Sequence, residues 1–224
     1  MKPSLSLKNL LAVAQIVPAT CAEGPGQRFA LWLQGCPLRC PGCCNPEMIP
    51  FSGGVSQSVD ALLEQILEAR RLHRIEGITL LGGEPFAHAD GAAELASQVR
   101  LAGLSVMIFS GYTLAELRGQ ADPAVATLLS QTDILVDSPY QREFPEARRR
   151  WIGSANQQIH FLSDRYRADD ACWQRPNTLE IRLQNGELTV NGFPAADAVG
   201  LWKRVRPATT APIAARAPGA EEPS

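Results

Sequence analysis

Residues 28–46, RFALWLQGCPLRCPGCCNP, are the most informative stretch of this chain. Phe29 to Leu33 form a continuous apolar run, which predicts a buried β-strand. The run passes directly into a loop that carries four of the chain's six cysteines. Pro37, Pro41 and Gly42 disfavour helix and strand in that loop, so we expect its backbone to curl. The stretch therefore predicts a core strand that delivers several thiols to one place.

Three of these thiols, Cys36, Cys40 and Cys43, are spaced C-x3-C-x2-C, and convergent thiolates favour a soft metal. Structural zinc takes four ligands, usually as two separated pairs. No second pair is present, because Cys44 directly follows Cys43 and two vicinal side chains seldom reach the same ion. The other candidates are isolated: Cys21, Cys172, His73, His88 and His160. Six cysteines in 224 residues, four of them in one loop, are also too few and too clustered for a disulfide framework. The pattern favours a 4Fe-4S cluster held by three cysteines, with one iron left without a protein ligand.

The longer string EGPGQRFALWLQGCPLRCPGCCNP, residues 23–46, resembles the radical S-adenosylmethionine (SAM) enzymes. Within them it is similar to the branch that activates glycyl-radical enzymes. The shared features are Gly24-Pro25-Gly26 before Arg28, Gln34-Gly35-Cys36, and Gly42 inside the cysteine loop. The resemblance implies that the open iron of the cluster binds SAM. It also places Gly42 and Cys44 at the cofactor, although relatives more often carry an aromatic residue or histidine where this chain has Cys44.

The rest of the chain predicts alternating strands and helices. The expected strands are Leu10–Val17, Phe29–Leu33, Ile75–Leu81, Leu104–Phe109, Asp133–Val136 and Gln157–Leu162. The expected helices are Val59–Leu72 (with Ser58 as its N-cap), Asp90–Ala102, Leu114–Arg118 and Pro123–Ser130. This alternation indicates right-handed βαβ units and a parallel sheet covered by helices.

We therefore expect an α/β fold, a partial (incomplete) βα barrel of the radical SAM type with four or five parallel strands. A C-terminal β-hairpin is predicted over residues 179–190, because Asn185-Gly186 suits a tight turn. Residues 1–200 are expected to form a domain with a single 4Fe-4S cluster. Residues 201–224 are rich in Ala and Pro and are expected to be a disordered tail.

Two further motifs stand at predicted strand ends, where ligands bind in parallel α/β folds. The resemblance assigns Gly82, Gly83 and Glu84 to the amino group of SAM; the alternative is an ordinary glycine-rich turn with a capping glutamate. It assigns Ser110, Gly111 and Tyr112 to the ribose or adenine. The alternative there is a helix N-terminus capped by Thr113, and both roles can hold together.

Other residues at strand ends and in loops have structural interpretations. Asp137 ends a strand, and we expect a structural role for it. Residues 152–157, IGSANQ, resemble a segment of the same family, but residue types alone assign it no role. Arg142 and Arg148–Arg150 form a basic patch. Such runs are mostly solvated surface, and a docking role for a partner protein is the alternative.

Composition limits the classes of function. The net charge is −2 and the pI is about 6.0, so no basic footprint for nucleic acid is expected. No apolar run approaches the roughly 20 residues that span a bilayer, so no membrane association is expected. Lys2 to Ala22 reads as an N-terminal strand rather than a signal peptide. An oxygen-labile cluster requires a reducing compartment, so we expect a cytoplasmic protein.

The resemblance implies an enzyme that cleaves SAM reductively to a 5′-deoxyadenosyl radical and abstracts hydrogen from a glycine of a partner, a glycyl-radical enzyme. The electron would come from an external donor such as flavodoxin or ferredoxin. No catalytic side chain is expected beyond the groups that hold the cluster and SAM. Two alternatives remain: a radical SAM enzyme that modifies a peptide precursor, and a non-catalytic iron–sulfur or zinc protein.

Overall fold

The computed structural model describes residues 10–146, 148–184 and 187–193. The regular elements in chain order are β1 (Leu10–Thr20), β2 (Arg28–Leu33), β3 (Val55–Ser58), α1 (Val59–His73), β4 (Gly77–Gly82), α2 (Ala89–Leu101), β5 (Ser105–Phe109), α3 (Leu114–Gly119), α4 (Pro123–Gln131), β6 (Ile134–Asp137), β7 (Gln158–Phe161), β8 (Leu179–Gln184) and β9 (Glu187–Gly192). The predicted tail, residues 201–224, and the hairpin turn Asn185-Gly186 lie outside the described residues. Within the described part, no helix is both long and apolar enough to cross a bilayer.

A 7-stranded mixed sheet with the order β3-β1-β2-β4-β5-β6-β7 organises the chain. Strands β2, β4, β5 and β6 are parallel, which confirms the predicted parallel sheet. Strands β1, β3 and β7 are antiparallel to their neighbours. The sequence predicted β7 without its direction and did not predict β3, which is a polar edge strand paired with β1.

The helices cover one face of the sheet. Ser58 caps α1 as predicted, since its hydroxyl accepts a hydrogen bond from the Ala61 amide at 3.2 Å. Helix α2 buries small residues such as Ala92 and Ala96, so that it packs closely on the strands. The largest apolar cluster lies between these helices and the sheet and includes Leu31 and Leu80 from its centre. We refer to this cluster as the helix-face core.

The opposite face of the sheet is covered by irregular chain from the C-terminal third. Met107 and Val136 pack there against Trp151. The Trp173 ring meets the Trp151 ring edge-on, with centroids 5.0 Å apart, and meets Phe161 at 5.2 Å. Because the helices among the described residues lie on one face of the sheet, this part of the chain is not a doubly wound sheet. It is a mixed α/β fold whose second face is lined by aromatic side chains.

The predicted hairpin forms from β8 and β9, and its polar side faces the sheet. Asn191 donates to the Thr20 hydroxyl at 3.1 Å, and Arg182 donates to the Ala19 carbonyl at 3.0 Å. Its apolar residues point away, with Ile181 61%, Leu183 72% and Leu188 58% exposed. Polar contacts therefore attach the hairpin to β1.

Arg28, from the string that carries the family resemblance, lies at the amino end of β2, opposite the cysteines. Its guanidinium is fully buried and donates to the Thr79 hydroxyl at 2.7 Å, the Ser105 hydroxyl at 3.0 Å and the Pro25 carbonyl at 3.2 Å. Burial lowers the pKa of Arg28. A side chain on Gly77 would clash with Ser105. One buried cation therefore joins the N-terminal halves of strands β2, β4 and β5.

Candidate metal and cofactor site

A cavity of about 160 Å³ opens at the carboxyl ends of the parallel strands. It brings together most of the site residues that the sequence predicted. Those in its lining are Cys36, Cys40, Cys43 and Cys44 from the loop after β2, Gly82, Gly83 and Glu84 from the end of β4, and Ser110 and Gly111 from the end of β5. Its surface is mainly apolar. The position agrees with the rule that parallel sheets bind ligands at their carboxyl ends.

Backbone hydrogen bonds fix both ends of the cysteine loop. The Cys36 amide donates to the Ile49 carbonyl at 2.9 Å, and the Gly35 amide donates to the Met48 carbonyl at 2.8 Å. The buried Gln34 side chain donates to the Pro50 carbonyl at 2.7 Å. The loop is also attached to the neighbouring strand end, because the Glu84 amide donates to the Gly35 carbonyl at 2.9 Å. These bonds hold the thiols beside β4.

Cys36, Cys40 and Cys43 are half-buried free thiols. Burial raises the pKa of Cys40 and of Cys43, while the Asn45 amide, which donates to the Cys43 sulfur at 3.4 Å, lowers the pKa of Cys43. Among the described residues, no three Cys, His, Asp or Glu side chains converge closely enough to hold a single metal ion. A cubane cluster has a different requirement, because each cysteine binds a separate iron at its own corner. Three thiols around one cavity therefore fit a 4Fe-4S cluster.

Glu84 is 1% exposed and joins two strand ends. One carboxylate oxygen accepts from the Phe86 amide and the Ser110 hydroxyl, both at 3.0 Å, and the other accepts from the Gly111 amide at 2.8 Å. Burial raises the pKa of Glu84 to about 7, against the lowering effect of these bonds. A carboxylate offers about four acceptor positions, so one position remains for a ligand's ammonium group. The capping role and the proposed cofactor role are therefore compatible.

Gly42 and Tyr112 lie outside the cavity lining. The Tyr112 ring packs against the helix-face core. Gly42 is exposed and lies next to the side chain of Arg142. The Ser110 hydroxyl accepts from the Tyr112 amide at 3.1 Å. Thr113 caps α3 in a capping box, which confirms the helix N-terminus that the sequence offered as an alternative at this motif. Of this motif, Ser110 and Gly111 reach the cavity.

The cavity has further walls that the sequence did not predict. They are supplied by Leu38, Phe109, Ser138, Tyr140, Gly153, Gln157 and Phe193, among others. The Gln157 side chain accepts from the Gly153 amide at 3.0 Å and donates to the Ser138 carbonyl at 3.3 Å. Segment 152–157 therefore has a structural role, because it holds the loop after β6 against the cavity. The family-like sequence of that segment was an available signal for Gly153 and Gln157, and Phe193 had none.

Asp137 has the structural role that the sequence suggested. Its carboxylate accepts from the Leu114 amide at 2.7 Å, from the His160 ring at 2.8 Å and from the Ser138 hydroxyl at 3.0 Å. It therefore caps α3 and joins β6 to β7.

The expectation that the four arginines form one solvated basic patch is wrong for Arg150, and docking of a partner at the exposed members stays untested. Arg150 is 9% exposed, lies over the Trp151 ring at 4.1 Å and donates to the Cys172 carbonyl at 2.9 Å. Arg149 is paired with Glu146 at 2.9 Å and also donates to the Gln157 carbonyl at 2.8 Å. These contacts hold the irregular chain together and leave Arg142 and Arg148 as the exposed members of the run.

Comparisons with known proteins agree with this site. Residues 22–160 match the model of the 4Fe-4S single cluster domain family. The anaerobic ribonucleoside-triphosphate reductase-activating protein of Vibrio cholerae serotype O1 is 32% identical over 153 residues, which are 65% of this chain and 95% of that protein. The protein of the same name from Escherichia coli K12 is 30% identical over 154 residues, 66% of this chain and 97% of its own length.

A putative glycyl-radical enzyme activating enzyme of Haemophilus influenzae is 38% identical over 98 residues, 43% of this chain and 37% of that protein. The relatives confirm the resemblance to the activating branch of the radical SAM enzymes. They also agree with the cofactors expected from the cysteine pattern, a 4Fe-4S cluster and SAM. This chain therefore belongs to the family of the anaerobic ribonucleoside-triphosphate reductase-activating proteins.

Proposed function

We propose that this chain installs a glycyl radical on a partner enzyme of the anaerobic ribonucleotide reductase type. The observation that carries the proposal is the cavity at the strand ends. It joins the thiols of the C-x3-C-x2-C loop to Gly82–Glu84 and to Ser110-Gly111. Three cysteines would leave one iron of a 4Fe-4S cluster without a protein ligand, and the cavity provides space for SAM beside it.

The roles of the side chains follow from their contacts. Cys36, Cys40 and Cys43 hold the cluster, and Glu84 accepts a hydrogen bond from the ammonium group of SAM through its remaining acceptor position. The bound cluster and SAM supply the radical chemistry, started by one electron from an external donor of the flavodoxin or ferredoxin class. The apolar walls, such as Leu38 and Phe109, exclude water from that chemistry. The side chains thus bind and orient, and they shield the reacting atoms.

The sheet is proposed to act as a partial barrel within one domain over residues 1–200. Its curved inner face would be the one that the aromatic side chains cover, and its cavity would receive a glycine-bearing loop of the partner. A protein substrate requires such an approach, because the glycine has to come close to the SAM that the cluster holds. The relatives named as activating proteins support a protein substrate over a small molecule.

Anaerobic reconstitution tests the proposal. We expect about four irons per chain, reductive formation of 5′-deoxyadenosine, and a glycyl radical signal in electron paramagnetic resonance when the partner reductase is added. Cys36→Ala, Cys40→Ala and Cys43→Ala should each lose the iron. Cys21→Ala and Cys172→Ala are matched controls and should keep it, since neither residue lines the cavity.

The outcomes separate the alternatives. SAM cleavage without a glycyl radical on the reductase would reject that partner and favour a peptide precursor as the substrate. Iron without SAM cleavage would reject radical catalysis and leave a non-catalytic iron–sulfur protein. Zinc in a stoichiometric amount, without a visible chromophore, would reject the cluster itself.

A further inference from the structure

Phe193 lies outside the family domain and yet belongs to the wall of the cofactor cavity. The family model ends at residue 160, and about two thirds of this chain matches nearly the whole length of the relatives. Phe193 directly follows β9, the second strand of the hairpin. It lines the same cavity as Cys36 and Glu84. The C-terminal part of this chain therefore adds a side chain to the site.

The Phe193 ring is placed beside the end of β5. It stacks on the Phe109 ring, with centroids 5.8 Å apart and planes 24° from parallel. Phe109 is the last residue of β5 and directly precedes Ser110 and Gly111, which also line the cavity. The two rings together form an apolar part of the cavity wall beside Ser110 and Gly111, and aromatic side chains are groups on which the planar base of a nucleoside packs.

Backbone contacts hold Phe193 at this position. Its amide donates to the Thr178 carbonyl at 3.1 Å. Gly192 adopts a φ of 102°, and a side chain there would clash with the same Thr178 carbonyl. Asn191 is buried and donates to the Thr20 hydroxyl at 3.1 Å. The backbone at residue 193 is therefore anchored, and the stacking on Phe109 places the ring in the wall, so that ligand binding requires little ordering of this segment.

We propose that Phe193 contacts the adenosyl group of bound SAM and closes the cavity on that side. The inference rests on the proposed function only in taking SAM as the ligand. A purely structural Phe193 would pack with the aromatic cluster on that face of the sheet and leave binding unaffected. The two roles differ in what a change at residue 193 does to SAM affinity.

Equilibrium dialysis of SAM against the anaerobically reconstituted protein measures that affinity, and S-adenosylhomocysteine serves as a second probe that is not cleaved. Phe193→Ala removes one base–aromatic contact, so it should raise the dissociation constants of both ligands by about tenfold. Phe193→Tyr keeps the ring and should bind like the wild type. Phe193→Leu keeps apolar volume without a ring and should fall between the two. Ile181→Ala, on the exposed side of the same hairpin, is the matched control and should not change binding.

Thermal unfolding of each variant separates binding from packing. A lower melting temperature with unchanged SAM and S-adenosylhomocysteine affinity in Phe193→Ala would overturn the inference. If Phe193→Ala does not fold, equal binding by Phe193→Leu, Phe193→Tyr and the wild type would overturn it as well. A wild-type protein that binds SAM and activates its partner, with binding insensitive to residue 193, would reject this inference and leave the proposed function standing. A wild-type protein that does not bind SAM would reject both.

Discussion

Replacing Glu84 with Gln should weaken SAM binding and remove its pH dependence. The buried carboxylate accepts hydrogen bonds from three donors of the protein and has one acceptor position left. Burial raises its pKa to about 7. A charge-assisted hydrogen bond is worth about 1.5–3 kcal/mol, which corresponds to roughly 10- to 150-fold in the dissociation constant. Glutamine has one acceptor oxygen in place of two, so its NH2 group faces either the Phe86 amide or the Gly111 amide, and it has no charge for the ammonium group. The loss should therefore lie in this range.

The pH dependence follows from the sign of the pKa shift. The ammonium group favours the ionised carboxylate, so the pKa of Glu84 should fall when SAM binds. Below pH 7 the free protein carries the protonated acid and has to release that proton on binding. Wild-type affinity should therefore decrease as the pH falls below about 7, by up to roughly tenfold per pH unit. The Glu84→Gln protein should show no such slope, and its iron content should be unchanged.

Calorimetric titration of SAM between pH 6 and pH 8 measures both effects in the reconstituted protein. Glu116→Gln is the matched control, because this exposed carboxylate caps α3 through Thr113 and does not line the cavity. It should leave both the affinity and its pH slope unchanged. Equal SAM affinity in the wild type and Glu84→Gln, with the same pH slope, would show that Glu84 only caps the turn after β4.

Two further predictions concern the architecture. Arg28→Met should lower the free energy of unfolding by about 2–4 kcal/mol, because it leaves buried acceptors unpaired. Urea titration measures this change, and the control Arg148→Met, at an exposed arginine, should have little effect. Gly83→Ala should disturb the cysteine loop, because the new side chain would clash with the backbone of Gly35, and reconstituted iron content should fall. Gly119→Ala, where a side chain would meet nothing within 4 Å, should keep full iron, and equal iron in both variants would contradict the close packing.

Much of the fold could be predicted from the sequence, because its central strands are short apolar runs and its helices have local start signals. Ser58 and Thr113 accept hydrogen bonds from the first turns of α1 and α3, so local chemistry alone indicates where these helices begin. Strand β3 could not be predicted in this way. Residues 55–58, VSQS, include three polar residues and none that is buried, and pairing with β1 makes them a strand. Tertiary context overrides propensity at such an edge.

Part of the candidate site could likewise be predicted from local sequence, and part could not. Cys36, Cys40 and Cys43 lie within eight consecutive positions, and Gly82–Glu84 stand at a predicted strand end, so spacing and strand order bring them together. Gln157 reaches the cavity because irregular chain after β6 folds back over the sheet, and Phe193 because the β8–β9 hairpin does. No local sequence pattern predicts such tertiary contacts. The burial of Arg150 could not be predicted for the same reason. Arg150 looks like surface in the sequence and is buried over Trp151 in the fold.

The string that carries the family resemblance has two separate roles at the two ends of β2. Six strand residues at about 3.3 Å each place Arg28 roughly 20 Å from the start of the cysteine loop. At the amino end, Arg28 joins three strands by hydrogen bonds and does not line the cavity. At the carboxyl end, the strand delivers Cys36 to the cavity. Strand β2 thus carries a structural arginine at one end and leads into the cysteine loop at the other. Changes at Arg28 should therefore lower stability, and changes at the cysteines should lower the iron content.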